Sequence, residues 1–212
     1  MRITVFGAAG GVGARVVAEA LSRGHRVTAV VRDPARFREL PAAALHRTGD
    51  ARDPGQVAAL AAGQDVVITA TRPVPGREHE LAMATRALLA GLAGTGVRLL
   101  VVGGAATLTV PGGNGMTVVE DPALPAEIRD IALACADQHA VCRAETEVDW
   151  AYLSPPALLK PGERTGAYRL GTDELLLDAR GQSRISIEDF AVALLDEAER
   201  PRHHRTRFTV AY

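Results

Sequence analysis

The chain has 212 residues, a formal net charge of −1 and 47% hydrophobic residues, the balance of an ordinary globular enzyme and not of a disordered chain. Its basic residues are scattered and aromatic residues make up only 4%, so it has neither the basic stripe nor the stacking platform of a nucleic-acid binder. Lys160 is the only lysine, which leaves a lysine-dependent mechanism a single candidate.

A chain of this length buries roughly 70% of its unfolded surface and needs neither disulfides nor a metal to fold. Cys135 and Cys142 lie seven residues apart in a predicted helix, about 10.5 Å along its axis, too far for a bridge; two reduced core thiols are expected. The N-terminus enters a strand with no charged leader, and no apolar run reaches the roughly 18 residues of a membrane span. The expectation is a cytoplasmic protein, monomer or homodimer, with no membrane partner.

Ile3 to Phe6 form a first short strand, Val12 to Leu21 carry helical spacing, and Gly24 ends that helix. Val27 to Val31 are the second strand. Asp33-Pro34 opens a turn and a short helix over Ala35 to Leu40, Ala44 to His46 form a third strand, and Asp53 caps a helix over Pro54 to Ala62. Asp65 to Ala70 and Val97 to Val102 are strands flanking a helix over Glu78 to Leu92. A helix over Pro125 to Glu147 precedes a strand over Trp150 to Leu153. Short strands near Tyr168 and Leu175, a helix over Ile187 to Glu199 and a last strand over Phe208 to Ala211 complete the chain. Apolar strands alternating with amphipathic helices predict a single α/β domain over residues 1–212. Its doubly wound parallel sheet, a Rossmann fold, binds ligands at the carboxyl ends of the strands. Residues 107–124 and 154–184 exceed the usual loop length and follow late strands, so they are expected to wall a pocket for a small-molecule substrate.

Gly7-Ala8-Ala9-Gly10-Gly11-Val12-Gly13 follows a strand and opens a helix, the context that makes a glycine motif a dinucleotide site. Gly7 permits the tight turn, Gly10 lets the backbone approach the pyrophosphate, and Gly13 lets the helix close on the sheet, while free N–H groups and the helix dipole favour phosphate. At the end of the second strand an acidic residue binds the ribose of NAD, whereas an arginine accommodates the 2′-phosphate of NADP. Arg32 stands there, with Arg36 on the next turn, which favours NADP(H) while leaving NAD(H) open. Asp33 is either a ribose partner or the cap before Pro34. Asp50 and Ala51 lie where adenine is expected, although a plain turn explains them nearly as well. Thr69, Ala70 and Thr71 end the fourth strand on the nicotinamide side. At Ser154 and Pro155, main-chain groups could meet the carboxamide, or simply end the strand.

The glycine loop, the run Gly24 to Pro34 and Gly49-Asp50 resemble the atypical short-chain dehydrogenases of the NAD(P)H-binding, NmrA-like type. Leu99 to Ala105 with Gly103, Pro161 to Gly166 and the ending Arg207 to Tyr212 look more narrowly like the NADH-flavin reductase group, relatives of biliverdin-IXβ/flavin reductase. The resemblance implies a nicotinamide-dependent reductase acting on a flavin or another conjugated molecule.

Ordinary short-chain dehydrogenases pair a tyrosine with a lysine four residues later. Here Pro156 and Thr172 stand four after Tyr152 and Tyr168, and Tyr212 ends the chain. Without that pair, hydride transfer to an electron-poor conjugated acceptor remains open, with solvent supplying the proton. Thr107, past the fifth strand, is the best single catalytic candidate, with a loop hydroxyl as its plain alternative. His139 is a second, with a packed histidine as the alternative. His203-His204 has no second cluster of ligands, so no metal site is expected. The leading reading is an NADPH-dependent reductase. A tailoring reductase for a ketone, enone or imine, a non-redox enzyme on the same scaffold, and a non-catalytic NADP(H) sensor are the rivals.

Overall fold

The apolar runs become one sheet. In the computed structural model, which describes all of residues 1–212, β1 (Arg2–Phe6), β2 (Arg26–Val31), β3 (Leu45–Thr48), β4 (Val66–Thr69), β5 (Arg98–Val102) and β6 (Trp150–Ser154) run parallel. Three further strands, β7 (Leu158–Lys160), β8 (Arg169–Gly171) and β9 (Arg184–Ser186), precede β10 (Thr206–Ala211). The sheet order is β3-β2-β1-β4-β5-β6-β10-β8, with β10 parallel to β6 and β8 antiparallel at the edge; β7 and β9 pair separately. This is the doubly wound order, whose switch point lies between β1 and β4.

Five helices cover the sheet: α1 (Gly11–Ser22), α2 (Pro54–Ala61), α3 (Glu80–Leu92), α4 (Arg129–Arg143) and α5 (Ile187–Glu199). Strand alternation sorts side chains between two cores. Ile3 and Val5 meet Val16 and Val17 of α1 and Phe190 of α5 on one face. Phe6, Trp150 and Tyr152 meet Val57, Leu88 and Cys142 of α2, α3 and α4 on the other. No helix is long and apolar enough to cross a membrane.

Several boundaries differ from expectation, each for a local reason. The helix expected over 125–147 is a 3-10 turn at Ala126–Ile128 followed by α4. It stops at Arg143 because the Glu145 carboxylate accepts the N–H groups of Glu147 and Val148 at 2.6 and 3.1 Å, bending the chain into a turn. The short helix after Asp33 is a 3-10 helix over Pro34–Glu39. No strand forms at Leu175; the neighbouring Glu174 makes only an isolated bridge to Thr109. Both thiols are free, but only Cys142 is fully buried.

Candidate functional site

A cleft of about 1030 Å³ opens over the carboxyl ends of β1, β2, β4, β5 and β6. Its floor begins at the glycine loop. Gly7 has φ +76°, and a Cβ there would lie 2.5 Å from the Ala70 carbonyl oxygen of β4's exit. A Cβ on Gly13 would lie 2.1 Å from the Gly7 carbonyl oxygen. These contacts bring α1 against the strand and turn its first N–H groups toward the cleft. That first turn has no side-chain cap and no acidic residue, so its dipole and N–H groups are open to an anion. Ala9, Gly10, Gly11 and Val12 line the cleft, whereas Gly13 lies beneath as the packing contact.

Arg32, exposed at the end of β2, lines the cleft with no ion pair or hydrogen bond of its own. The Asp33 carboxylate accepts the Ala35 N–H at 2.9 Å and caps the 3-10 helix, the cap alternative of the sequence reading. Arg36 is already engaged, donating to the Ala9 carbonyl at 2.8 Å and to Glu39 at 2.7 Å. Asp50 and Ala51 line the cleft, but the Asp50 carboxylate is gripped by Arg52 at 2.6 Å, which holds it below the ordinary carboxylate range. Arg52 also reaches Glu80 at 2.5 Å.

Ala70, Thr71, Gly103 and Pro155 line the cleft as expected. Thr69 and Ser154 do not. Thr69 is buried, its hydroxyl 3.1 Å from that of Thr71. Ser154 is buried on the Tyr152 face of β6, its carbonyl accepting from the Thr209 hydroxyl at 2.9 Å. Gly103 is glycine because the Tyr152 ring lies directly beneath, 2.0 Å from where a Cβ would sit.

Beyond Gly103 the cleft becomes an apolar compartment. Val110, Val118 and Leu124 come from the first long loop, Ile128 from the 3-10 turn and Ile131 from the start of α4, and Leu158 and Leu175 from the second long loop. Arg72 stands at its mouth with no ion pair. No tyrosine or lysine lines the cleft. Tyr152 accepts the Gly104 N–H at 3.0 Å, Tyr168 donates to Asp196 at 2.5 Å, and Tyr212 donates to Asp189 at 2.7 Å. Cys135 does line the cleft, but burial pushes its thiol up to about 11, so it is not a thiolate at neutral pH.

Thr107 and His139 are brought together, but not into the cleft lining. Arg207 donates to the Thr107 hydroxyl oxygen at 2.6 Å, and that hydroxyl shares a hydrogen bond with His139 Nδ1, 3.2 Å away. The His139 ring packs at a tilt against Tyr152 with ring centroids 4.8 Å apart. Burial first, then Arg207 and Arg143, push its pKa down to about 4 against the partial attraction of Asp173. A depressed histidine adds stability that is present above its unfolded value near 6.5 and is lost as pH falls toward 4. The unfolding free energy should drop by about 2–3 kcal/mol across that window. His139→Gln should flatten this slope in urea titrations at a series of pH values; an unchanged slope would show that His139 does not cause it.

The sheet order, the uncapped helix terminus and the cleft beside it fit a nicotinamide dinucleotide and define a dinucleotide-binding protein of the Rossmann type. A family model described as NAD(P)H-binding matches residues 7–198, and the chain belongs to that family. YwnB of Bacillus subtilis is 37% identical over 216 residues, covering 99% of this chain and 98% of its own. Two solved structures each align with TM-score 0.89. One, provisionally named an exported protein, from Burkholderia pseudomallei, is 39% identical over 100% of both chains. The other, provisionally named an NADH-flavin reductase, from Streptococcus pneumoniae, is 30% identical over 100% of this chain and 99% of its own.

Proposed function

We propose that the protein is a cytoplasmic, NADPH-dependent reductase of a small, flat, conjugated acceptor of the flavin or quinone type. The observation that carries this reading is the continuity of the cleft. The uncapped terminus of α1 and the unpaired Arg32 lead directly into an apolar compartment free of tyrosine and lysine. The N–H groups of α1's first turn would hold the pyrophosphate, and Arg32 the 2′-phosphate. Bound there, NADPH supplies hydride from its nicotinamide.

The rest is positioning. Val110, Val118 and Ile131 offer apolar walls against which a flat ring is held and water excluded, and such positioning is worth up to about 7–11 kcal/mol. With all three phenols bonded outside the cleft, the proton comes from solvent, which suits an acceptor that spreads the added charge over a conjugated system. A concave apolar compartment beside the dinucleotide site also favours an enzyme over a cofactor-binding sensor. Loss of NADPH absorbance should accelerate with riboflavin, FMN or a quinone, and not with an unactivated ketone. Turnover of simple ketones with no flavin or quinone activity would overturn the reading.

A further inference from the structure

The two long loops that wall the apolar compartment are joined behind it by one buried cation. Arg207 projects from β10 on the Tyr152 face of the sheet, its side chain only 7% exposed. Its Nη1 donates to the Thr107 hydroxyl on the first loop at 2.6 Å. Its Nε donates to Asp173 Oδ1 on the second loop at 3.0 Å, and Nη2 donates to the same oxygen. The backbone continues the junction. The Thr109 N–H donates to the Asp173 carbonyl at 2.8 Å, and the Leu175 N–H donates to the Thr109 carbonyl at 3.0 Å. Val110 and Leu175, adjacent to these bonds, face the compartment.

We propose that Arg207, with Thr107 and Asp173, is a latch that sets the spacing of the acceptor walls. Arg207 is thus a positioning residue for acceptor binding and takes no part in holding the dinucleotide. The buried guanidinium cannot give up the Thr107 hydroxyl cheaply, since the lost contact leaves a buried donor unsatisfied, while Asp173 closes the latch from the exposed side. The latch therefore holds one wall separation instead of a continuum. It rests on the reductase reading only in taking the apolar compartment as the acceptor's place.

The test titrates riboflavin into the NADP⁺-loaded full-length protein by fluorescence quenching, and NADPH into the free protein by calorimetry. Thr107→Val removes the hydroxyl at constant shape, Thr107→Ser keeps it, and Asp173→Ala removes an exposed partner whose loss leaves the core intact. Thr107→Val and Asp173→Ala are expected to weaken riboflavin about ten-fold, the loss of one contact to a charged group. NADPH affinity should stay unchanged, and Thr107→Ser should retain wild-type riboflavin binding. Hydrogen exchange should speed at Thr109 and Leu175 in the two weakened variants. Equal losses for riboflavin and NADPH, or loosened loops with unchanged riboflavin affinity, would overturn the latch. Riboflavin bound with the expected pattern but never reduced would leave the latch standing and remove the reductase reading. Riboflavin that fails to bind the wild type would remove both.

Discussion

Gly13→Ala should destabilise the protein by about 3 kcal/mol, the upper end of what overpacking costs, although alanine in place of helical glycine normally stabilises by about 1 kcal/mol. The sign inverts because the new Cβ would meet backbone, not a flexible side chain: 2.1 Å from the Gly7 carbonyl oxygen and 2.8 Å from its carbon. Gly7 cannot retreat, being wedged against the Ala70 carbonyl with φ +76°. Relief requires α1 to lift from β1, pulling Val16, Val17 and Ala20 out of the core shared with α5. The melting temperature should fall by about 6–12 °C for a chain of this size, and dinucleotide binding should go with it. Gly11→Ala is the control: a Cβ there meets nothing within 4 Å, and Gly11 lines the cleft. It should leave stability intact and weaken only the cofactor. A Gly13→Ala protein as stable as wild type would contradict the packing account.

Arg32→Ala should weaken NADPH by about 1.5–3 kcal/mol, the value of a charge-assisted contact, and leave NADH almost unchanged. Of the arginines around the adenosine end, Arg36 is held by Ala9 and Glu39, and Arg52 by Asp50 and Glu80, while Arg32 is uncommitted. Its carboxylate neighbour Asp33 is engaged as a helix cap, so it does not compete for the ribose as the aspartate of an NAD site would. Calorimetric titration of both cofactors into both proteins checks this. Equal loss for NADPH and NADH, or none, would move the 2′-phosphate elsewhere.

The dinucleotide half was legible in the sequence because its signals are local. A glycine run after a strand, Gly24 closing α1 and Arg32 at a strand end each declare themselves within a few residues. The acceptor half was less legible because its signals are distant. The strands β7 and β9 are three residues each and pair across a long loop, too short to show a period. Thr107 past β5 and His139 on α4 were singled out as catalytic candidates; the fold brings them within 3.2 Å of each other but outside the cleft lining. Sequence spacing cannot say that an α4 residue faces Tyr152 and not the cleft. Ser154 shares its parity with Tyr152, readable in advance, which places its side chain on the α4 face and out of the cleft lining. Arg207 was missed as a working residue, yet its signal was present: a lone charge alternating with Phe208 and Val210 inside a buried strand must find partners on the opposite face.

The most direct test of the central claim is an anaerobic single turnover. Protein loaded with one equivalent of NADPH is mixed with one equivalent of FMN, and the absorbances of both are followed together. Nicotinamide and flavin should bleach in step, equivalent for equivalent, much faster than without protein and faster with NADPH than with NADH. Unchanged absorbance of both, from protein that calorimetry shows to be saturated with NADPH, would contradict the claim.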